Sequence, residues 1–408
     1  MRIIHTSDWH LGHSLHRVSR DYEHERFLAW LLDILENEAA DALIVAGDVF
    51  DSANPPVSAL ATFYRFLVNA RRRMPCLDIV VVAGNHDSPA RLEATGPLME
   101  TIGAHVVGCV NQGVAGAPDT DSLLFPLHDR SGVVKAWCAA VPFLRAADLP
   151  PERGEEKDFD PLVEGVRRFY AAVVDGARCR LGAGQPLLAT GHCYLVGGKI
   201  SEVSERKILG GNQHALPTDI FPADLAYVAL GHLHCPQALA DGRLRYSGSP
   251  LPLSFAENHY PHQVVRVDLG DHADIVVTAI PVPRTVELLR LPVAGPRPLN
   301  EVLHELRKYP WDSTVVRPFL EVSILLSAPE PDLRRRLDEA LEGYPVRLLN
   351  IVVHVPGDGG TLADALPESS LDRLEPDTVF ARYYQQIHNT EPPTLLMEAF
   401  HELLESIR

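Results

Sequence analysis

The chain has 408 residues, enough for two or three domains, and 46% of them are hydrophobic, which is ordinary for a globular protein. No apolar run approaches the roughly 20 residues that cross a bilayer, and the N-terminus shows no signal-peptide pattern. The formal net charge of −17 argues against a chain that binds nucleic acid by itself. Six scattered cysteines without a C-x-x-C pair suggest neither a disulfide framework nor a zinc ribbon, so we expect a cytoplasmic protein.

The first predicted strand, residues 1–6, is followed by a carboxylate and an imidazole. Asp8 and His10 lie two positions apart, and such residues share a side of an extended backbone. Both side chains can therefore aim at one point, and this pair suits Mn, Fe or Zn better than Mg or Ca. The pair is a weak signal by itself, and coincidence is the alternative. Residues 20–37 then predict a helix, because their apolar side chains recur at helical spacing.

A second strand end carries an aspartate at a position typical of ligand sites. Residues 42–46 form a short apolar run typical of a buried strand, and Gly47 permits a tight turn. Asp48 then stands at the carboxyl end of the strand, where open α/β sheets place their ligand sites. Taken alone, an Asp after a Gly is more often a turn residue. Residues 55–73 predict the next helix.

The same arrangement returns after the predicted strand 78–83. A β-branched run ends in Gly84, and three polar residues follow it. Asn85 offers an amide oxygen to a metal, whereas its neighbour His86 need not be a ligand. Asp87 could hydrogen-bond the His86 imidazole and fix its tautomer, or it could cap the next helix.

Two further strand ends carry histidines. Residues 186–192 predict a strand that ends in a Gly-His pair, at His192. Residues 225–230 predict another strand, which is followed by His232 and His234. Two histidines that lie two positions apart after a glycine can face two neighbouring metals.

Together, the first 270 residues hold five strand-end positions whose side chains are metal ligands. They are Asp8 with His10, Asp48, Asn85, His192, and His232 with His234. A bridging carboxylate at Asp48 would give each of two ions four protein ligands. Two ions about 3.5–4 Å apart are what two-metal phosphoester hydrolysis requires. The sequence therefore predicts an α/β fold with a dinuclear metal site.

Five motifs occur in order along the chain: S-D-W-H, G-D-V-F-D, G-N-H-D, G-H and G-H-L-H. In this order and spacing they resemble the calcineurin-like metallophosphoesterase superfamily, and more narrowly the SbcD family of bacterial nuclease subunits. The narrower resemblance extends over residues 199–217 and 246–250 and continues weakly into the C-terminal half. It implies a metallophosphoesterase β-sandwich flanked by helices, with a small α+β capping domain and C-terminal partner-binding helices.

The resemblance also implies a role for each candidate residue. One ion would take Asp8, His10, Asp48 and His234, and the other would take Asp48, Asn85, His192 and His232. His86 would be the catalytic histidine, and Asp87 would orient it. Asp51 matches the position of a second active-site histidine in archaeal and eukaryotic homologues, so its role stays open. The preferred ion of the family is manganese, which a mixed nitrogen and oxygen ligand set permits.

The C-terminal part predicts a second domain and a tail. Residues 286–355 predict a β-α-β-α-β unit, large enough for a small α+β domain. We therefore expect a metallophosphoesterase domain at 1–280, a capping domain at 281–356, a linker at 357–375 and a helical partner-docking segment at 376–408. In the family that the chain resembles, the capping domain helps to select DNA.

The docking segment is predicted from two short amphipathic helices after the linker. Their apolar faces include Val379, Phe380, Tyr383, Leu396, Phe400 and Leu403. Such faces have little of their own domain to pack against, which favours helix-in-groove docking on a partner. The resemblance implies that they grip the coiled-coil base of an SbcC-type ATPase of the structural-maintenance class. The alternative is that they fold back on the capping domain.

The resemblance implies a metal-dependent DNA nuclease subunit that works in repair and recombination. It would act as an exonuclease on double-strand ends and as an endonuclease on hairpins or blocked ends, within a heterotetramer that contains a homodimer of this chain. The negative net charge is compatible with this function if two metals, local basic loops and the ATPase share the contacts to phosphates. Two alternatives stay open: a small-molecule phosphodiesterase with the same metal core, and a non-catalytic scaffold for the ATPase.

Overall fold

The structure is a computed structural model, and it describes residues 1–111, 113, 118–150, 160–199, 215–270, 274–311, 316–328 and 330–355, with a few positions between 380 and 400. These residues belong to two compact units, 1–324 with 332–352 and 325–331 with 353–408. Within the described ranges, no helix is both long and apolar enough to cross a membrane. All six cysteines are free thiols.

Strands and helices alternate along most of the chain. In chain order the strands are β1 (Arg2–Thr6), β2 (Ser14–Leu15), β3 (Val18–Ser19), β4 (Ala42–Ala46), β5 (Asp78–Val82), β6 (Ala104–Val107), β7 (Leu124–His128), β8 (Val134–Ala139), β9 (Leu187–His192), β10 (Leu225–Gly231), β11 (Gln237–Leu239), β12 (Leu244–Tyr246), β13 (Gln263–Leu269), β14 (Ile275–Pro281), β15 (Leu288–Leu291), β16 (Arg297–Pro298), β17 (Phe319–Leu325) and β18 (Arg347–His354). The helices are α1 (Asp21–Asn37), α2 (Val57–Arg73), α3 (Pro89–Glu93), α4 (Gly96–Thr101), α5 (Pro161–Arg178), α6 (Leu299–Lys308) and α7 (Leu333–Ala340). The predicted helices at 20–37 and 55–73 and the predicted strands at 42–46 and 78–83 are confirmed to within two residues.

Two six-stranded sheets form the body of the first unit in the part of the chain that the structure describes. The first has the order β14-β13-β1-β4-β5-β6, in which β1, β4, β5 and β6 run parallel. The second has the order β11-β12-β10-β9-β8-β7, in which β12, β10, β9 and β8 run parallel. Each sheet therefore has a parallel centre whose strands all end at one edge, and open α/β sheets bind their ligands at that edge.

Successive side chains of a strand point to opposite faces of its sheet, and this explains how the two sheets and the helices pack. Ile3 of β1 belongs to the core cluster that also contains Leu188 of β9 and Val228 of β10. Its neighbour Ile4 belongs to the other cluster, which includes side chains of α1 and α2 such as Phe27 and Phe63. Burial of each such Leu, Ile or Phe side chain contributes about 1.5–3 kcal/mol relative to exposure. The predicted β-sandwich flanked by helices is confirmed.

The β-α-β-α-β unit predicted for the C-terminal part is also confirmed. Strands β15, β17, β16 and β18 form a four-stranded sheet, and α6 packs against α7. This region shares an apolar cluster with the preceding part of the chain, and the cluster contains Leu288, Phe319, Leu15 and Phe255. The predicted boundary at residue 280 therefore does not separate the two compact units, and the assignment of 281–356 as a capping domain stays a prediction.

The second compact unit contains part of the segment that was predicted to dock on a partner. The rings of Phe380 and Phe400 stack on each other, with centroids 4.1 Å apart and planes 9° apart. Leu396 is exposed. The other predicted docking residues, Val379, Tyr383 and Leu403, and the linker at 357–375 lie outside the described residues.

Candidate metal centre

All seven predicted ligands follow or end strands of the two central sheets. Asp8 and His10 follow β1, Asp48 follows β4, Asn85 follows β5, His192 ends β9, and His232 and His234 follow β10. The first sheet therefore supplies four of these side chains and the second sheet supplies three. They converge because the parallel strands that carry them end at facing edges of the sandwich.

The backbone at four of these positions is strained. Asp8, His10, Asp48 and His232 have φ values of 54°, 47°, 48° and 98°, in the left-handed region that residues other than glycine rarely adopt. Such a conformation costs about 1–3 kcal/mol at each residue and persists only when the surroundings enforce it. These four are among nine non-glycine residues with positive φ in the described part of the chain, and strain at ligands is common at functional sites.

Two glycines let the two sheets approach each other at this point. Gly47 has a φ of +90°, and a Cβ there would lie 2.2 Å from Nδ1 of His192. A Cβ on Gly231 would lie 1.9 Å from the carbonyl oxygen of Ala46. The glycines in the two strand-end motifs are therefore required by close packing across the site, in addition to their role in the turns.

The first group of donors is Asp8, His10 and His234, whose ligand atoms all lie within 4.8 Å of one another. His10 is 2% exposed, and its Nε2 has no hydrogen-bond partner within the described residues. Its Nε2 lies 3.6 Å from Oδ2 of Asp48. A buried imidazole nitrogen without a partner is costly, and a cation at this point would remove that cost.

The second group surrounds the same Asp48 oxygen from the other side. His192 Nε2 lies 3.3 Å from Asp48 Oδ2 and 3.0 Å from Asn85 Oδ1. His232 Nδ1 lies 3.0 Å from the same Asn85 oxygen. The other oxygen of Asp48 accepts a hydrogen bond from the backbone N–H of His86 at 2.9 Å. Oδ2 therefore stands between the two groups as the atom that they can share.

These separations fit donors that share cations. Two donor atoms about 2.1 Å from one ion lie roughly 3.0–3.4 Å apart at octahedral or tetrahedral angles. The observed separations of 3.0–3.6 Å between donors around Asp48 and Asn85 fall close to that range. Because the set mixes imidazole nitrogens with carboxylate and amide oxygens, it suits a first-row transition ion such as Mn²⁺.

The pKa values of three residues in the site are shifted by burial and by their charged neighbours. Burial opposes the protonated form of His192, but the adjacent Asp48 carboxylate outweighs it and raises the pKa to about 9. Burial also opposes ionisation of Asp48, yet His192 and His10 hold its pKa well below the ordinary value. Burial, together with the charge of His192, lowers the pKa of His232 to about 3. In the protein without an ion, a proton on His192 thus supplies part of the positive charge that the site needs.

Backbone and side-chain acceptors fix the tautomers of the histidines. His192 Nδ1 lies 2.9 Å from the carbonyl oxygen of Ala46, so this nitrogen carries the proton when the ring is neutral and Nε2 keeps its lone pair. His234 Nδ1 lies 2.8 Å from Oε1 of Glu257, a fully buried carboxylate. The sequence analysis did not find Glu257, because it lies 23 residues after His234 in a segment without a ligand motif.

The expected role of Asp87 is wrong. Its two oxygens accept backbone N–H groups of Gly84, Val49 and Phe50 at 2.8–3.1 Å, and among the described residues it makes no hydrogen bond to the His86 ring. Nor does it cap the next helix, α3, whose N-cap residue makes no side-chain hydrogen bond in the described part of the chain. The three backbone N–H groups are held in fixed positions, and Asp87 bonds them instead of the His86 ring. These bonds link the loops that follow β4 and β5. Burial, followed by the charge of Asp48, raises the pKa of Asp87 to about 6.

Asp51 contacts three histidines of the site. Its carbonyl oxygen lies 2.9 Å from His86 Nδ1, so it is this residue that orients the predicted catalytic histidine. Its Oδ1 lies 3.0 Å from His13 Nδ1 and 3.3 Å from His10 Nδ1. His13 Nε2 in turn lies 3.1 Å from the carbonyl oxygen of Leu253. These contacts lead us to expect that Asp51 positions the histidines and that His13 is a further member of the site.

A cavity opens beside the second group of donors. Its volume is about 500 Å³ including the space open to solvent, and His192 and His232 form one wall. Its other walls are mostly apolar and include Phe143, Leu162 and Tyr194. A substrate whose phosphate reached the donors would have room here for an apolar group.

Comparison with known proteins places this geometry in a family. The model of the calcineurin-like phosphoesterase family matches residues 1–236, more than half of the chain. A second family model, described as the type 5 capsule protein repressor C-terminal domain, matches residues 284–388.

Curated relatives of the chain are named as the SbcD subunit of the nuclease SbcCD. The protein of Rhodobacter capsulatus is 42% identical over 384 residues, which cover 93% of this chain and 94% of its own. The protein of Escherichia coli K12 is 35% identical and covers 86% of this chain and 84% of its own. The protein of Bacillus subtilis 168 is 37% identical and covers 66% of each chain.

Proposed function

This chain belongs to the calcineurin-like phosphoesterase family, its curated relatives are nuclease subunits, and we propose on that premise that it is the metal-dependent nuclease subunit of a complex with an SbcC-type ATPase. The observation that carries the proposal is the position of Asp48 Oδ2, which lies 3.6 Å from His10 Nε2 and 3.3 Å from His192 Nε2. A carboxylate oxygen shared by two sets of buried donors is the arrangement that two adjacent cations require.

The two ligand sets are those that the family resemblance implies, and the distances are compatible with them, although Asp8 also lies close to Asp48 and His192. Asp8, His10, Asp48 and His234 would hold one ion, and Asp48, Asn85, His192 and His232 would hold the other. Two divalent ions held by these residues, for which we propose Mn²⁺, would provide an activated water and would neutralise charge on the phosphorus oxygens. The protein fixes the donors in advance, through the strained backbone at Asp48 and the hydrogen bonds behind His192 and His234.

His86 is proposed as the catalytic histidine. Its ring lies edge-on to His10, with centroids 4.9 Å apart, so it borders the metal site without belonging to either donor group. Because its Nδ1 faces the Asp51 carbonyl oxygen, that nitrogen carries a proton, and Nε2 is the atom left for the substrate. In the protonated form, Nε2–H can donate to the leaving oxygen or to the charge on the phosphoryl group.

The substrate and partner are proposed from the family resemblance. We propose that the enzyme acts on double-strand DNA ends as a 3′–5′ exonuclease and on hairpins or blocked ends as an endonuclease, in the cytoplasm. A net charge of −17 disfavours tight binding of DNA by this subunit alone. The ATPase would therefore supply much of the contact with phosphates, and the docking segment with Phe380, Leu396 and Phe400 would hold it. A homodimer within a heterotetramer is part of the same proposal.

The test uses purified protein with Mn²⁺, with and without its ATPase, on end-labelled duplex and on bis-p-nitrophenyl phosphate. We expect hydrolysis of both substrates, and we expect His86→Ala to lower both rates about 10²–10⁴-fold. The matched control is His128→Ala. His128 Nδ1 also lies near an oxygen, 3.1 Å from Asp78 Oδ2, but His128 belongs to neither donor group.

One observation favours a second candidate function, a small-molecule phosphodiesterase. The cavity beside His192 and His232 has apolar walls that suit the organic part of a small ester. The same assay separates the candidates. Hydrolysis of the small ester without any cleavage of duplex DNA, even with the ATPase present, would favour the second candidate. A wild-type protein no more active than His86→Ala would point to a non-catalytic scaffold.

A further inference from the structure

A short turn contacts both the candidate metal site and the C-terminal sheet. It is the 3₁₀ turn Phe255–His259, which follows strand β12 and the segment 247–254. Hydrogen bonds hold its backbone, because Glu257 N donates to Ser254 O at 3.2 Å and Tyr260 N donates to Glu257 O at 2.9 Å. The turn is therefore held together by its own backbone hydrogen bonds.

One side of the turn holds a candidate metal ligand. Oε1 of the fully buried Glu257 lies 2.8 Å from His234 Nδ1. Its Oε2 accepts a hydrogen bond from the backbone N–H of Leu253 at 2.7 Å, and its carbonyl oxygen lies 3.2 Å from His262 Nε2. With both carboxylate oxygens engaged, Glu257 fixes the His234 ring so that Nε2 faces away from it. Carboxylates behind a ligating histidine set its orientation and its strength as a donor.

The other side of the turn packs against the C-terminal sheet. Phe255 is buried in an apolar cluster with Leu288 of β15 and Phe319 of β17. Asn258 Nδ2 donates to the carbonyl oxygen of Leu288 at 2.7 Å. Arg284, from the C-terminal region, donates to Asn258 Oδ1 and, at 3.2 Å, to the Asn258 carbonyl oxygen. A shift of β15 therefore displaces Phe255 and Asn258, and these two residues flank Glu257.

We infer that the 255–259 turn couples the position of the C-terminal sheet to the affinity of the site for the ion that His234 binds. Glu257 is the positioning residue in this coupling, and Phe255 and Asn258 are its contacts with the sheet. The inference rests on the proposed function, because it requires His234 to be a ligand. It adds a regulatory consequence: whatever moves the C-terminal sheet, such as DNA or a partner, changes how firmly one of the two ions is held.

Calorimetric titration of the metal-free, full-length protein with Mn²⁺ tests the coupling without measuring catalysis. Arg284→Ala removes the contact from the side of the C-terminal region, and we expect it to weaken the binding of one ion about fivefold, the effect of one lost hydrogen bond. The loss of a positive side chain would by itself strengthen the binding of a cation through Coulomb's law. Weaker Mn²⁺ binding by Arg284→Ala therefore cannot be a simple effect of charge.

The matched control is Arg335→Ala. Arg335 also belongs to the C-terminal region, but it is an exposed residue of α7 whose ion pairs are with Asp332 at 3.0 Å and Glu339 at 2.6 Å, not with the turn. We expect this variant to bind both ions with wild-type affinity.

Glu257→Gln tests the other end of the coupling. It should weaken the binding of one ion about tenfold. In that background Arg284→Ala should have no further effect, because the contact that transmits the shift to His234 is already impaired. Thermal denaturation of each variant checks that the fold is intact. If Glu257→Gln does not fold, the comparison of Arg284→Ala with Arg335→Ala still decides the question.

Three results would overturn the inference: wild-type affinity for both ions in Arg284→Ala, an equal loss in Arg335→Ala, or effects of Glu257→Gln and Arg284→Ala that simply add. A wild-type protein that binds no Mn²⁺ would overturn the proposed function, and this inference with it. The two failures are therefore distinguishable.

Discussion

Asp48→Asn tests the oxygen that the two donor groups share. The substitution keeps the shape of the side chain but removes the charge that holds His192 in its protonated form. In the metal-free protein the pKa of His192 is raised from 6.5 to about 9, a difference equivalent to about 3 kcal/mol. Burial alone lowers this pKa, and the Asp48 carboxylate is the largest of the contributions that raise it. The variant should therefore hold His192 neutral at about pH 7.

Two measurements check this expectation. In NMR titrations of EDTA-treated protein between about pH 5 and 10, the His192 transition near 9 should disappear in the variant. Calorimetric titration with Mn²⁺ should show weaker binding of both ions, because both donor groups lose their common ligand. The matched control is Asp41→Asn, which alters a buried aspartate that accepts the backbone N–H of Arg2 outside the site. Unchanged affinity for two ions in Asp48→Asn would refute the shared-oxygen geometry.

Three further predictions concern other parts of the site. Mn²⁺ affinity should rise about tenfold per pH unit up to a pH near 9, because the ion must displace the proton that His192 holds below its pKa. Gly231→Ala should lower stability by about 3 kcal/mol and reduce the melting temperature, since its Cβ would lie 1.9 Å from Ala46 O and 2.8 Å from His192 Nδ1. Asp51→Asn should weaken Mn²⁺ binding about tenfold without unfolding the protein, since it removes the carboxylate 3.3 Å from His10 Nδ1.

Each of these predictions has a control or a contrary outcome. An affinity that stays flat from about pH 7 to 9 would contradict the proton displacement. Gly96→Ala should leave the melting temperature unchanged, because a Cβ there meets no atom of the described residues within 4 Å. Asp175→Asn changes an exposed aspartate that pairs with Arg178, and it should not alter Mn²⁺ affinity. Equal losses in Asp175→Asn and Asp51→Asn would remove the special role of Asp51.

Much of the fold was predictable because its strands carry strong local signals. The runs that became β4 and β5 are short, apolar and ended by Gly47 or Gly84, so their positions follow from composition and turn chemistry. Strand β7 was missed for an equally local reason. It contains Pro126, and proline is typical of edge strands or loops because it lacks a backbone N–H. Strand β7 is indeed at the edge of its sheet.

The donors of the site were predictable, but the residues behind them were not. Each donor directly follows or ends a strand, so a parallel sheet brings the donors together without further information. Glu257 and His13 reach the site through contacts with residues 23 and 38 positions away in the chain, and no local pattern marks such contacts. Asp87 was predicted to orient His86 because the two residues are adjacent in the sequence. Its carboxylate instead accepts hydrogen bonds from three backbone N–H groups.

The division of the donors between the two sheets has a consequence for the life of the protein. Four donors come from one sheet and three from the other, so bound cations would link the two sheets of the sandwich. Binding that favours the native state also protects it against unfolding by mass action. A cell that lacks the ion would therefore lose the activity of the enzyme. It would also lose the protein itself, because the metal-free form unfolds more readily and proteases degrade unfolded chains.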